Sequence, residues 1–491
     1  MNLSEKYLPI LELPQFNNSI KKIDNYSYKE FKLISKFIQL KILSLLKSNN
    51  KKDDLKIIIL LKTGIEAYAS MVACLDLKIC YVPLNVENPK LYNSEIISIV
   101  NPDLIITSEK YIIDEFRNIS FIFNKNNIEK VNQIIQPLKT EKEDPLAYII
   151  FTSGTTGKPK GVMVSRSNLF SYINYCCMQL PFSSNFNVLQ TAAISFDLSV
   201  LSILPPLIKG SNLTTLKFHK NELLPWKIIY EEKINLIISV PSFLSLIYCS
   251  NNLKQEYFSK STNFIFCGEP LNKFLVSNIF KNLPQSKIFN LYGPTEVTVS
   301  CSSLKLDANN FESNTDGINV SIGVPINDHF FIIKKYKDED NDIRNTLLIK
   351  GPQVAKGYLN NMSLTKIKFI KGMKEYDTYD TGDDVYLRED GKYFFKNRND
   401  RQIKISGYRI ELGEIESRLL ELGADEALAI AKNRLIKVFY STRSNFNNEE
   451  IEKSIKSKFP HYYRLKLIKL NNNLKRTKNG KVDIKYYELL K

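Results

Sequence analysis

Histidine is scarce in this sequence, with only three residues of this type among 491. A zinc site built from several histidines is therefore nearly excluded, and histidine-based nucleophilic catalysis is not expected. The seven cysteines are odd in number and include no C-x-x-C pair, a pattern that fits a reducing cytoplasm. The three histidines are His219, His329 and His461.

Long apolar runs are also missing. None approaches the roughly 18 residues that a membrane-spanning helix needs, so we expect no membrane span. The first residues, Met1–Lys6, lack the basic and then apolar pattern of a signal peptide, which together with the cysteines predicts a cytoplasmic protein. The length predicts roughly two to four domains.

Positive charge is in excess, because 68 Lys and Arg residues against 52 Asp and Glu residues give a formal net charge of +16. Residues 452–491 hold 12 of the basic and 3 of the acidic residues, so this tail alone contributes +9. A basic surface can bind nucleic acid, a membrane surface or an acidic protein. Lysine and asparagine enrichment from an AT-rich genome is the alternative for the total charge, but it explains the concentration in the tail less well.

Strand-like and helix-like patterns alternate through most of the chain. Short apolar runs predict buried strands, and loops with helical patterns follow them. The runs are 55–61, 80–84, 188–193, 236–240 and 263–267. This alternation predicts an α/β fold with mostly parallel sheets covered by helices, in which ligands bind at the carboxyl ends of strands. From Ile318 onward, shorter strand pieces predict a small β-barrel-like subdomain.

The polar stretch Arg398–Arg401 predicts a domain boundary. It separates a large N-terminal domain, residues 1–399, from a small C-terminal α+β domain, residues 400–491. The elements predicted for the second domain are a strand at 402–406, a turn at Gly407, a helix from near Glu411, strands around 427–431 and 436–440, and a helix from about Asn448.

The segment Tyr148–Gly161 joins an apolar strand, Tyr148–Phe151, to a run dominated by Gly, Ser, Thr and Lys. Glycines let backbone N–H groups turn toward one point, while hydroxyls and lysines add donors and positive charge. This chemistry suits a polyphosphate. The spacing excludes a P-loop NTPase, because Pro159 follows Gly157-Lys158 where that motif requires Ser or Thr. An ordinary flexible loop is the alternative for this segment taken alone.

This segment resembles the signature loop of the adenylate-forming (ANL) superfamily, which includes acyl-CoA synthetases, luciferases and the adenylation domains of peptide synthetases. Further motifs match in family order, beginning near Leu55. They are Leu75–Leu84, Phe196–Ser199, Asn290–Glu296, Tyr379–Asp383, Lys404–Glu416 and Asn479–Asp483. The resemblance implies the ANL fold, with a large N-terminal domain of two sheets with helices, a small β-barrel-like subdomain, and a mobile C-terminal domain hinged at Asp400.

The resemblance also implies roles in the nucleotide site. Thr295 would contact the α-phosphate, Glu296 would bind Mg²⁺ as a hard oxygen ligand, and Lys481 would offset the repulsion between carboxylate and phosphate. Tyr292 would stack on adenine, and Asp383 would accept hydrogen bonds from the ribose hydroxyls. The residues implied for ATP binding are Thr152, Ser153, Gly154, Thr155, Thr156, Gly157, Lys160, Asn290, Tyr292, Gly293, Asp383 and Arg398.

Asp197 points to an amino-acid substrate. By resemblance it would bind the α-ammonium group, since a carboxylate in an apolar region needs a cationic partner. The alternative is an N-cap for the helix predicted at 198–204. The matching pocket positions are apolar or small and predict a small neutral side chain. They are Asp197, Leu198, Leu201, Cys267, Leu291, Val299 and Ser300, with Phe243 nearby.

The implied reaction joins ATP and an amino acid into an aminoacyl-adenylate and then transfers the aminoacyl group to the phosphopantetheine thiol of a carrier protein. Phe196–Val200 and Phe264–Glu269 resemble D-alanine–carrier-protein ligases, whereas Leu201 and Leu291 resemble L-proline-activating enzymes. D-Alanine is therefore favoured, with L-proline as the alternative. The basic tail predicts an acidic carrier, acting in trans because no carrier domain follows Lys491.

Three other functions remain as alternatives. An acyl- or aryl-CoA ligase would share the ATP site, but it does not need an acid at Asp197. A nucleic-acid-binding module could use the basic tail, yet the tail carries no RNA-binding signature, so no nucleic-acid partner is expected. An inactive scaffold is disfavoured because the residues implied for chemistry are retained.

Overall fold

The computed structural model describes most of the chain. The residues outside the description are 1–8, 47–53, 125–127, 129–134, 136–137, 139–141, 155–157, 217–223, 327, 338–342, 373–375, 433–434, 443–447, 477–481 and 491. By packing, the chain divides into two compact units. Unit 1 comprises residues 1–85, 100–150 and 162–399, and unit 2 comprises residues 86–99, 151–161 and 400–491.

A six-stranded sheet is built from strands between residues 56 and 165, and its central apolar β-branched runs are buried, as expected for parallel strands covered on both faces. In spatial order its strands are Ser120–Ile122, Leu104–Thr107, Lys56–Leu60, Cys80–Pro83, Leu146–Thr152 and Lys160–Ser165. Neighbouring strands from Ser120–Ile122 to Leu146–Thr152 pair in parallel. The helices in this part of the chain are Tyr28–Leu46, Ile65–Asp76, Lys90–Val100 and Arg166–Gln179.

A nine-stranded sheet in unit 1 carries most of the predicted substrate residues at its strand ends. Its order is Val324–Pro325, Ser302–Leu306, Ile288–Tyr292, Asn263–Phe266, Leu236–Ser239, Asn187–Gln190, Asn212–Thr215, Lys22–Ile23 and Tyr26–Ser27. The central strands are parallel, and an antiparallel strand lies at each margin. Its helices are Leu198–Lys209, Pro225–Glu231, Pro241–Cys249 and Lys273–Asn282.

Shorter antiparallel strands complete unit 1. A four-stranded sheet has the order Phe330–Lys337, Ile343–Lys350, Thr378–Asp380 and Phe369–Ile370, and the helix Met362–Lys368 leads into its last strand. The strands Asp383–Leu387 and Tyr393–Arg398 form a separate hairpin.

The C-terminal part of unit 2 begins with the hairpin Gln402–Ile405 and Tyr408–Glu411. Its turn is Ser406-Gly407, and both residues have positive φ, as a two-residue hairpin turn of type I′ requires. A three-stranded sheet follows, with strands Glu426–Lys432, Leu435–Ser441 and Leu465–Lys469. The helices are Leu412–Glu421, Asn448–Lys458 and Ile484–Leu489.

The α/β expectation is confirmed by these sheets and helices, and the strand predictions match to within one to three residues at each end. All seven cysteines lie in the described part and are free thiols. Among the described helices, none combines the length and the apolarity that crossing a membrane demands.

Candidate active site

The side chains of Asp197 and Thr295 meet in unit 1. Asp197 precedes the helix Leu198–Lys209, and Thr295 opens a short 3-10 turn, Thr295–Val297, just beyond the strand Ile288–Tyr292. The Thr295 hydroxyl donates to Asp197 Oδ2 at 2.6 Å. A hydrogen bond to a carboxylate is short and comparatively strong, so it holds the carboxylate in one orientation.

The N-cap alternative for Asp197 is therefore weakened. Asp197 does occupy the N-cap position, but its φ and ψ of −62° and −29° are already helical, and its side chain makes no capping hydrogen bond. A capping aspartate adopts an extended conformation and accepts from the backbone one turn ahead. The carboxylate of Asp197 is directed to Thr295 instead, which leaves substrate binding as the function to be tested.

Glu296, the residue predicted to bind Mg²⁺, is fully buried. Its Oε1 accepts a hydrogen bond from the Tyr358 hydroxyl at 2.7 Å, and the Tyr379 hydroxyl lies 3.3 Å from that of Tyr358. Both tyrosines are buried as well. Burial of a carboxylate is costly without such a partner, so the Tyr358 hydroxyl fixes the position of Glu296.

This donor set fits a magnesium ion. Mg²⁺ in nucleotide enzymes is held by one or two carboxylates together with substrate phosphates rather than by a closed protein cage. A single buried carboxylate oriented by a second layer of hydroxyls, as Glu296 is, agrees with that requirement. In the described residues, no group of three or more His, Cys, Asp or Glu side chains is positioned to hold a metal by itself.

Asp383 forms a second polar cluster in unit 1. The Tyr292 hydroxyl donates to its Oδ2 at 2.5 Å, and Arg398 Nη1 donates to its Oδ1 at 2.5 Å. Arg398 also donates to the carbonyl of Thr381 at 3.0 Å. Asp380, which stands where the family has arginine, accepts from Gly382 N at 3.1 Å and so braces the turn that leads to Asp383. Three predicted nucleotide residues are thus assembled in one place.

Two more residues of the Asn290–Glu296 motif, Asn290 and Gly293, have structural constraints. The Asn290 side chain is buried and donates to the Ser321 carbonyl at 2.8 Å, which ties adjacent segments together. At Gly293, a Cβ would lie 2.5 Å from the Cα of Ser300, so no larger residue fits without moving the backbone. Both contacts support the shape of the site, and the predicted contact with ATP remains a prediction for each.

The predicted pocket residues are all buried apart from Asp197, which is partly exposed. Thr298 and Val299 have φ values of 53° and 71°, a left-handed conformation that β-branched residues seldom adopt. The Cys267 thiol lies 3.9 Å from the Val299 carbonyl, and Ser300 Oγ donates to the Tyr172 hydroxyl at 3.2 Å. The buried members are Leu198, Leu201, Cys267, Leu291, Val299 and Ser300.

The described residues of the predicted phosphate loop belong to unit 2, where Ser153 and Lys160 contact the hairpin 402–411. Ser153 Oγ donates to the Arg409 carbonyl at 2.9 Å and accepts from Glu411 N at 3.1 Å. Lys160 Nζ lies 3.3 Å from Glu411 Oε1, and their side chains are only 8% and 5% exposed. Gln402 donates to the same carboxylate. A bound phosphate would therefore compete with Glu411 for the ammonium group of Lys160.

The remaining predicted residues divide into described and undescribed positions. Thr152 ends its strand, and its hydroxyl is buried with no hydrogen-bond partner among the described residues. At Gly154 a Cβ would lie 2.0 Å from the Lys158 carbonyl, so the loop requires glycine. Asp400, the predicted hinge, begins the last segment of unit 2 and accepts from Gln402 N at 3.2 Å. Thr155, Thr156, Gly157 and Lys481 lie outside the described residues.

Glu414 is a buried carboxyl in unit 2 that the sequence did not single out. Desolvation by burial raises its pKa to about 8, against the lowering effects of the Tyr463 hydroxyl and of Arg418. The Tyr463 hydroxyl donates to Glu414 Oε2 at 3.0 Å, and Arg418 forms an ion pair with Glu95. Burial therefore favours the protonated form of this carboxyl at neutral pH.

A model of the AMP-binding enzyme family matches residues 25–359. The chain belongs to this family. The assignment agrees with the order of the motifs and with the buried carboxylates of unit 1, and it confirms the predicted relationship to adenylate-forming enzymes. The protein is accordingly an AMP-forming ligase.

Curated relatives and solved structures show which proteins this chain is similar to. The D-alanine–D-alanyl carrier protein ligase of Listeria monocytogenes is 33% identical over 69% of this chain and 69% of its own. The ligase of the same name from Bacillus velezensis is 29% identical over 82% of this chain and 83% of its own. The adenylation domain AlmE of Vibrio cholerae, in complex with glycyl-adenosine-5′-phosphate, has a TM-score of 0.78 at 22% identity and covers 94% of this chain and 93% of that one. The last likeness establishes the fold.

Two residues that contact the predicted site carry no motif in the sequence. Tyr358 supports Glu296, and Gln353 contacts the left-handed turn at Thr298–Val299. Both lie shortly after the strand Ile343–Lys350, beyond the Gly351-Pro352 turn signal. A polar residue just after such a turn is the one sequence feature that could have drawn attention to this region. It does not show which distant segment of the chain packs against the region.

Proposed function

We propose that this protein activates a small neutral amino acid, with D-alanine favoured, as its adenylate and transfers it to the thiol of a carrier protein. The observation that carries the proposal is the contact between Thr295 and Asp197, because it joins the predicted phosphate-binding turn to the predicted ammonium-binding carboxylate. An enzyme for fatty or aryl acids has no use for a carboxylate at that point. The names of the relatives support the same substrate class.

In this mechanism the substrate carboxylate attacks the α-phosphorus of ATP, an O–P bond forms, and pyrophosphate leaves. Asp197 binds the α-ammonium group and thereby orients the carboxylate for attack. Thr295, which contacts Asp197, would donate to the α-phosphate, and Glu296 would hold Mg²⁺, which neutralises charge on the phosphates when bound. Asp383 with Arg398 binds the ribose, for which Tyr292 must release or share its hydrogen bond.

The residues at the predicted pocket positions support a small neutral substrate. The pocket walls are buried leucines, a cysteine thiol and the turn that contains Val299, with no second charged residue at the predicted positions. A neutral side chain is therefore favoured over a charged one, since a buried unpaired charge is costly. The adenylation domain AlmE, whose structure holds a glycyl-adenylate, is a fold relative with a small ligand of this kind.

For the second half-reaction we propose a phosphopantetheinylated carrier protein with an acidic surface. The thiol attacks the acyl carbon of the adenylate, a thioester forms, and AMP leaves. We further propose that Asp400 acts as the hinge between the two half-reactions and that Lys481 acts in the first. In unit 2, Arg464, Lys466 and Lys469 are exposed along the strand Leu465–Lys469 and its entry, and a basic surface suits an acidic partner. Free thiols in all seven cysteines agree with a cytoplasmic location.

The test is ATP–pyrophosphate exchange with a panel of D-alanine, L-alanine, glycine, L-proline and a fatty acid. We expect exchange with D-alanine above the others, followed by thioester formation on a D-alanyl carrier protein. Exchange driven best by L-proline would keep the reaction class and change the substrate. Exchange driven only by the fatty acid, or by none of the acids, would refute amino-acid activation.

A further inference from the structure

The turn at Thr298–Val299 holds an unfavourable backbone conformation within the predicted pocket. Two consecutive β-branched residues have positive φ, of 53° and 71°. Left-handed conformations crowd the Cβ atom, and branching at Cβ increases the cost, so such residues persist only where surrounding contacts enforce them. Both residues are fully or almost fully buried. Some neighbouring group must therefore hold this turn.

Gln353 is a group that holds the turn from another segment, in addition to the turn's own hydrogen bond from Ser300 N to the Thr298 carbonyl at 2.9 Å. Its side chain is completely buried, and its Nε2 donates to the Ser300 carbonyl at 2.8 Å. The carbonyls of Val297 and Thr298 also lie 3.5 Å from the same nitrogen. The contact is reciprocal, because the Thr298 hydroxyl donates to the Gln353 carbonyl at 2.7 Å.

The orientation of the Gln353 amide follows from these partners. Three carbonyl oxygens surround one end of the amide, and only its NH₂ group can donate to them. The Oε1 atom at the other end is buried and accepts no hydrogen bond from the described residues. A buried acceptor without a partner lowers stability, so a residue of the same size without the amide would suit the core better. The amide is thus best explained by its hold on the turn.

We infer that Gln353 is a specificity-positioning residue. By holding Thr298 and Val299 in the left-handed conformation, it fixes Val299 and Ser300 in the pocket wall and limits the size of the substrate side chain. This inference rests on the proposed function, since it presumes that these residues face an amino-acid substrate. Gln353 would act through the turn and not by touching substrate or nucleotide.

The experiment compares Gln353→Met with wild type, using kcat/KM for D-alanine and for D-2-aminobutyrate, which is longer by one methylene. A fitted pocket discriminates against one methylene by roughly 10- to 200-fold. We expect the ratio of kcat/KM for D-alanine to kcat/KM for D-2-aminobutyrate to fall at least fivefold in Gln353→Met, while the KM for ATP changes little. Adding Thr298→Gly should recover part of the ratio, because glycine adopts positive φ without strain.

Gln15→Met is the matched control. Gln15 also donates to backbone carbonyls, those of Leu207 and Ile208, at the C-terminal end of the helix that follows Asp197. Gln15→Met should lower thermal stability without changing the ratio of kcat/KM for the two amino acids. A Gln353→Met enzyme with the wild-type ratio, or an equal fall in Gln15→Met, would overturn the inference and leave the proposed function intact. Wild-type enzyme that exchanges with no amino acid would instead overturn both.

Discussion

The hydrogen bond between Thr295 and Asp197 gives a prediction that separates ammonium recognition from nucleotide binding. D-Lactate has the shape of D-alanine with a hydroxyl in place of the ammonium group. The ratio of kcat/KM for D-alanine to that for D-lactate therefore measures what Asp197 contributes. Contacts that Thr295 makes with the α-phosphate affect both acids and cancel in the ratio.

The magnitudes follow from the geometry. Replacing Asp197 by Asn removes one partner of a charge pair that becomes buried when substrate binds, a change that costs about 2–5 kcal/mol. At about 1.36 kcal/mol per tenfold, the ratio should fall by roughly 30-fold to a few thousandfold. Thr295→Val removes a 2.6 Å hydrogen bond to a carboxylate. A bond of that class contributes about 1.5–3 kcal/mol, so the ratio should fall by roughly tenfold or more.

The assay is pyrophosphate exchange with each acid at saturating ATP, with Thr295→Ser as the matched control because it keeps the hydroxyl. We expect Thr295→Ser to retain most of the wild-type ratio. If Asp197→Asn left the ratio unchanged, Asp197 would not bind the ammonium group, and the assignment to amino-acid activation would lose its basis. If Thr295→Val slowed both acids equally, Thr295 would act on the nucleotide side alone.

Three further predictions concern other contacts. Burial raises the pKa of Glu414 from 4.5 to about 8, so between these pH values the folded protein keeps a proton that the unfolded chain loses. As the pH rises from 4.5 to 8, the free energy of unfolding of wild type should therefore fall relative to that of Glu414→Gln, by up to about 1.4 kcal/mol per pH unit. Calorimetry that found parallel pH profiles for the two proteins would contradict this. Glu411→Gln should destabilise the protein by about 3–5 kcal/mol, because it breaks a buried ion pair with Lys160, and adding Lys160→Met should recover most of the loss in chemical denaturation. Tyr358→Phe should raise the Mg²⁺ concentration for half-maximal exchange by roughly 10- to 100-fold by freeing Glu296; an unchanged requirement would refute the positioning role.

The strands and helices that build the fold were largely predictable, because their signals are local. Apolar runs such as Leu236–Ser239 and Asn263–Phe266 are bounded by polar or turn residues, and burial in a parallel sheet needs little else. The hairpin turn at Ser406-Gly407 was anticipated from its glycine. Motifs with a chemical reason for their spacing, such as Asn290–Glu296, also identified residues that the structure brings near Asp197 and Asp383.

The supporting contacts were not predictable for a physical reason. Gln353 and Tyr358 act on residues 53 to 62 positions away in the chain, and no local pattern encodes that approach. The grouping of residues 86–99 and 151–161 with the C-terminal segment is equally non-local. The predicted division of the chain into the contiguous domains 1–399 and 400–491 cannot describe this grouping. Tertiary packing decides such contacts, and neither propensity nor periodicity reports on it.

The six residues Thr295–Ser300 make several of these non-local contacts. The first residue orients Asp197, the second is held by Tyr358, and the fourth and fifth keep a left-handed backbone against Gln353. A shift of this turn would move the predicted phosphate, metal and side-chain contacts together, because one short piece of backbone carries all three. We therefore expect substrate fit and catalysis to be linked through this turn. A substrate too large for the wall at Val299 would displace Thr295 and Glu296 as well, so we expect poor substrates to suffer mainly in kcat rather than in KM.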